Sequence, residues 1–240
     1  MKIKLSPTRI LATGALLLSA GAANAAIYSF TTAGNSTTNL TIGGVSTVQR
    51  NYTGVSVTGW TNNRNRAGDA AAAAGTANAE FNLAPVASFG TSGIGVQYGT
   101  EGSGDGQHAI DNVNTMDFVL LSFASPIALT DLQIGWPSAT DTRDTDFTVL
   151  AFTGANNLTG SPTTAANGGF ALGDMNLLNS DTADTGAGNG QSYGLTNAGW
   201  EVIGNPNDLP TNSFASIGNS SFKSSSYWLV GTRNKFLATG

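Results

Sequence analysis

A chain of 240 residues with 40% hydrophobic side chains is long enough to form one large all-β domain around its own core. Only 10% of the residues are charged, 15 acidic against 10 basic. That excludes an electrostatic nucleic-acid binder and disfavours a helical enzyme, whose exposed faces need Lys and Glu. There is no cysteine, which excludes disulfides, thiolate metal ligands and cysteine nucleophiles.

In chain order, the first feature is not part of a fold. Lys2, Lys4 and Arg9 form a basic start, "ILATGALLLSA" (10–20) is a short apolar run, and "ANA" (23–25) is a small-x-small cleavage site before Ala26. This pattern predicts a secretory signal peptide over residues 1–25, too short in its apolar part to span a bilayer stably. The mature domain is then 26–240, with no membrane span. Its removal leaves seven basic residues against 15 acidic ones, a net charge of −8.

The mature chain reads as short β-segments separated by Gly, Asn, Asp and Pro. "AIYSFTT" (26–32) alternates weakly. "STVQRNYTGVSVTGW" (46–60) is β-branched, with Val55 and Val57 on one face. "GDAAAAAGTANAEFN" (68–82) is the one helix candidate, bracketed by glycines. "GIGVQYG" (93–99) aligns Ile94, Val96 and Tyr98. "MDFVLLSFASPIALTDLQIGW" (116–136) is apolar on both faces, as a covered central strand must be. Ser125-Pro126 reads there as a turn into a second strand that aligns Leu132, Ile134 and Trp136. "DFTVLAFTG" (146–154), "AGWEVIG" (198–204) and "SSSYWLVGT" (224–232) complete the set. The expected fold is an all-β, antiparallel sandwich of jelly-roll type in a single domain.

Three groups of residues carry the chemistry this chain can offer. "DGQHAIDN" (105–112) holds the one histidine. His108 is a candidate general base, oriented by Asp105, Asp111 or Asp117. No nucleophile elbow accompanies it, and the favoured reading is a structural loop fixed by His108, Asp111 and Asn112. "DTRDTD" (141–146) places Asp141, Asp144 and Asp146 within six residues ahead of a strand. That is oxygen-ligand chemistry suited to calcium, though without the glycine and distal glutamate of an EF-hand; a solvated turn partly neutralised by Arg143 is the alternative. Trp60, Trp136, Trp200 and Trp228 all sit in or at the ends of strands. They read first as core residues, and second as a stacking platform for sugar rings.

The order "GIGV", "HAIDN", "MDFVLLSFASPIALTDLQIGW", "DTDFTVLAFTG", "GW" and "SSSYWLVG" resembles the exosortase-dependent surface proteins of bacteria, the PEP-CTERM type, over roughly residues 90–232. The resemblance implies an exported β-domain. It also implies that His108, Asp111 and Asn112 belong to a structural signature ahead of a core strand, with Asp144 and Asp146 in the acidic turn before the next. Members end in a sorting tail with an apolar helix; "GTRNKFLATG" (231–240) departs from that pattern.

The expectation is therefore a non-enzymatic, secreted protein of the bacterial cell surface or extracellular matrix. Its role would be structural or adhesive within exopolysaccharide or biofilm, and its partner that polysaccharide or another copy of itself. The alternatives are a calcium-dependent carbohydrate-binding module and, third, a secreted hydrolase using His108 or a carboxylate pair. No cofactor other than calcium is expected.

Overall fold

The computed structural model describes residues 2–6, 26–30, 36–42, 45–64, 80–88, 93–97, 110, 115–135, 146–154, 172, 175–177, 193–196, 198–206, 209–210 and 213–233. In chain order the strands are β1 (Lys2–Ser6), β2 (Ile27–Ser29), β3 (Ser36–Ile42), β4 (Val45–Tyr52), β5 (Val55–Arg64), β6 (Glu80–Ala84), β7 (Val86–Ser88) and β8 (Ile94–Val96). There follow β9 (Asp117–Gln133), β10 (Phe147–Phe152), β11 (Met175–Asn176), β12 (Tyr193–Gly194), β13 (Trp200–Gly204), β14 (Phe214–Ser216) and β15 (Ser225–Thr232). Every strand pair but the short β11–β12 contact is antiparallel. Among the described residues no helix is long and apolar enough to cross a membrane.

The fold is an all-β, antiparallel sandwich organised by β9. The main sheet runs β13-β10-β15-β9-β5-β4-β3, with β6 added to β5 beyond the end of β4. The C-terminal strand β15 returns to lie between β9 and β10, the long-range return that Greek-key and jelly-roll folds share. The first half of β9 lies in this sheet, between β5 and β15. Its second half leaves it for another, ordered β2-β1-β9-β14. One strand thus belongs to both layers, and the core fills the angle between them.

Ser125-Pro126 does not turn the chain, contrary to the sequence reading; β9 is continuous over 17 residues. The register explains why proline is tolerated. Tyr227 pairs with Ser122 and Ser225 with Ile127, so β9 carries surplus residues there, and Ala124–Pro126 bulge out to solvent. A bulge asks no ladder hydrogen bond of its residues, so proline's missing N–H costs nothing. The segment 46–60 is the opposite case. Read as one strand, it folds into two, because Thr53 and Gly54 make a turn in which Gly54 takes φ 79°, a conformation that side chains oppose. The helix reading over 68–82 meets a strand at its end, where β6 begins at Glu80; residues 68–79 lie outside the described set.

The two-sided apolar pattern of β9 is realised. Val119, Leu121 and Phe123 enter one core with Val55, Val57, Val149, Trp228 and Val230. Phe118 and Leu120 enter a second, on the other face of the sheet, with Trp60, Phe81, Leu150, Trp200 and Leu229. The second core is closed by Leu172, Leu177, Leu195 and Ala198 from the segments that cover that face. At the centre, Gly231 stands opposite Phe118, and a Cβ at Gly231 would overlap the Phe118 ring. The absent side chain is what lets the ring lie flat on β15.

One side chain ties the turn before β15 to β9. Asn219 is buried in the turn between β14 and β15. Its Nδ2 donates to Leu129 O at 2.8 Å and to Lys223 O at 2.9 Å, while its Oδ1 accepts from Lys223 N at 2.8 Å. It thereby holds a turn in which Phe222 takes φ 51°, and ties that turn to the second half of β9.

Candidate interaction edge

Among the described residues the main sheet ends on one side in the five-residue β13 and on the other in the longer hairpin β3–β4. Its seven register pairs run unbroken from Ser36↔Asn51 to Ile42↔Val45. "STTNLTI" is rich in β-branched residues, which suit a pleated half-exposed surface. Only Arg50, Asn51 and Tyr52 of β4 pair with β5, so Val45–Gln49 extend past the β5 ladder.

The root of this arm is tied down from three directions. Asn51 donates from Nδ2 to Thr38 Oγ1 at 2.8 Å, and its Oδ1 accepts from Ser56 Oγ at 3.0 Å and Gln49 Nε2 at 2.6 Å, so one amide links β3, β4 and β5. Arg50 Nε donates to Val86 O at 2.8 Å. The Tyr52 ring meets buried Phe30 edge-on, with centroids 5.1 Å apart.

Ser36, Thr37, Thr38 and Asn39 are exposed, and among the described residues β3 has no strand on its outer side. Val48, opposite Asn39, is one of three exposed large hydrophobics among the described residues, with Ile27 and Phe222. Natural edge strands are normally guarded by Lys, Pro or a bulge. β3 has none of these: it carries no charge and no proline, and its register is regular. What it offers chemically is a row of backbone donors and acceptors flanked by hydroxyls and an amide. Such a surface binds by hydrogen bonding, to another strand or to a hydroxyl-rich polymer, and not by charge.

The residues singled out in the sequence fall elsewhere. His108, Asp111 and Asn112 lie outside the described residues; the chain is next seen at Ile110, packed against the first core, and at buried Thr115. Of the three acids considered as partners for His108, Asp117 is described. It is fully buried at the start of β9, its Oδ1 accepting from Thr115 Oγ1 at 3.1 Å, beside Asn62 Oδ1, which accepts from Met116 N at 2.6 Å. These contacts fix the approach of the chain to its central strand.

Asp141 and Asp144 also lie outside the described residues. Asp146 is committed to Arg233: Nη1 donates to Oδ2 at 3.0 Å, and Arg233 N donates to Asp146 O at 3.1 Å. Its charge is met by a guanidinium from the end of β15, a partner that sequence reading missed by looking only to nearby Arg143. Among the described residues no three His, Asp or Glu side chains converge to hold a metal ion.

The stacking platform is corrected for three of its four rings. Trp60, Trp200 and Trp228 are 1%, 2% and 0% exposed. Trp60 Nε1 donates to Thr58 Oγ1 and Trp228 Nε1 to Ser225 O, both at 3.0 Å, while Trp200 packs edge-on against Phe152. A sugar ring needs an open aromatic face, and these faces are covered by core. Trp136 lies outside the described residues. The signal for the β3 edge was in the sequence all along, in an uncharged "STTNLTI" facing "VSTVQRNY" across two glycines, but its apolar alternation is too weak to mark a strand. Comparison of the chain with protein-family models, with curated proteins and with solved structures returned no match.

Proposed function

We propose that this chain is an exported, non-enzymatic protein of the bacterial surface or extracellular matrix, with a structural or adhesive role in contact with exopolysaccharide. The observation that carries the reading is the open β3 edge: seven residues without a charge, four of them exposed, on a rigidly rooted hairpin. A hydrogen-bonding surface of this kind suits a neutral, hydroxyl-rich matrix. Export is supported by the basic-apolar-small pattern of residues 1–25. In an exported chain cleaved before Ala26, β1 leaves the sheet, and β9 loses its partner on one side over Ala128–Gln133 while β14 still pairs with Asp131–Gln133 on the other.

The test is to produce the chain with its own leader in a bacterial host, determine the mass of the exported product, and sediment it with matrix polysaccharide. The expected product begins at Ala26 and co-sediments. Replacing Ser36, Thr37 and Asn39 together by alanine lowers the bound fraction several-fold without altering the melting temperature. Retention of the chain inside the cell, or equal sedimentation of the triple variant, contradicts the reading.

A further inference from the structure

We infer that β3 pairs with β3 of a second copy of this chain, antiparallel and about a two-fold axis at Asn39, joining two main sheets into one. The inference rests on reading the β3 edge as an interaction surface and names its partner.

The argument is one of self-complementarity. The antiparallel register that uses all seven residues of Ser36–Ile42 is centred on Asn39. In it, Ser36 stands opposite Ile42 of the second copy, Thr37 opposite Thr41, Thr38 opposite Leu40, and Asn39 opposite itself. No position meets a charge. Threonine pairs are among the favourable cross-strand neighbours, and the amide of asparagine can both donate to and accept from its own copy. The contact is isologous and closes on itself, so it gives a discrete pair and not a fibre.

Charge favours this edge over the rest of the molecule for contact between copies. The chain from Ala26 onward has a net charge of −8, which sets copies to repel one another over most of their surface. β3 and β4 contain no acid, and their one charged residue is Arg50. Arg50 is in register with Thr37, two positions from the axis, so the Arg50 residues of the two copies sit toward opposite ends of the joined ladder. Among the described residues no strand lies on the outer side of β3, and its register with β4 is regular over all seven residues, as extension by a further strand requires. A seven-residue edge contact is small and belongs to the transient class, so it is populated where the chain is concentrated, as on a surface or in a matrix.

The experiment uses the exported chain alone, without polysaccharide, in sedimentation equilibrium from micromolar up to about 1 mM. The expected result is a reversible monomer–dimer equilibrium. Asn39→Lys and Asn39→Asp each place like charges on the axis and weaken pairing at least tenfold. An equimolar mixture of the two restores it, because Lys then faces Asp. Circular dichroism checks that both variants melt as the parent does. A parent that stays monomeric to about 1 mM overturns the inference. So do single variants that associate like the parent, and so does a mixture that fails to restore association. Loss of co-sedimentation with self-association intact breaks the adhesive reading alone; the reverse breaks the pairing alone.

Discussion

Asn219→Ala tests whether one amide holds the second half of β9 to the turn behind it. The substitution removes three hydrogen bonds, of 2.8, 2.9 and 2.8 Å. They are not equal. Leu129 is fully buried, so its carbonyl has no water to turn to, and stranding it costs about 1–3 kcal/mol. The N–H and C=O of Lys223 lie in a half-exposed turn and recover part of their loss from solvent, leaving about 0.5 kcal/mol each. The sum is about 3 kcal/mol, which for a chain of this size lowers the melting temperature by roughly 6–12 °C. Phe222, released from its φ of 51°, returns a little of that. Thermal and urea unfolding by circular dichroism measure it. Asn219→Asp sharpens the test: it keeps the acceptor for Lys223 N but sets a carboxylate oxygen against two carbonyls, so it destabilises at least as much as alanine. Ser216→Ala, at the exposed end of β14 just before the same turn, serves as control and stays within about 0.5 kcal/mol. A loss below about 1 kcal/mol for Asn219→Ala, or an aspartate variant as stable as the parent, refutes the reasoning.

Gly231→Ala drives a methyl into the Phe118 ring and costs about 1–3 kcal/mol; Phe118→Leu in the same chain relieves the clash, so the double variant loses less than the two single losses combined, as unfolding midpoints will show. Arg233→Ala removes a guanidinium that is 41% exposed from Asp146, and the pair is worth less than about 1 kcal/mol, with an effect that fades further in high salt. In a Trp136→Phe chain, emission from Trp60, Trp200 and Trp228 should resist an aqueous quencher and remain unchanged on addition of soluble oligosaccharide; strong quenching by either contradicts their burial. Hydrogen exchange at Ala128–Gln133 should be faster in the chain beginning at Ala26 than in the chain retaining residues 1–25, because β1 supplies the ladder on that side of β9; equal protection means another segment takes its place.

What was legible in the sequence was what a strong period writes there. β9, β10, β13 and β15 were each visible as apolar runs, and the two-sided pattern of Phe118–Phe123 placed β9 at the centre, where it is. Three kinds of feature were not visible. A bulge absorbs a proline without a turn, so Ser125-Pro126 looked like a break. Strands of three residues such as β7 and β14 carry too few alternations to register. Partners distant in sequence leave no local trace: Arg233 on Asp146 and Asn219 on Leu129 are 87 and 90 residues apart. The candidate edge was missed for a related reason. An edge strand that binds through its backbone needs no distinctive side chains, and β3 has none.

The division between core and edge bears on how such a surface can change without unfolding the protein. The main sheet is clamped on both faces by separate cores that meet through β9, β10 and β15. Among the described residues β3 pairs with β4 alone, and β4 is held to the rest by three register pairs with β5, the Asn51–Ser56 and Arg50–Val86 hydrogen bonds and Tyr52. Exposed Ser36, Thr37 and Asn39 are therefore cheap to vary: a polar substitution there falls within about 0.5 kcal/mol of the parent. The same substitution at the middle of the edge acts twice in a two-fold contact, once from each copy. Affinity between copies is thus far more sensitive to residue 39 than stability is. An uncharged residue at that position is what an edge kept available for pairing requires.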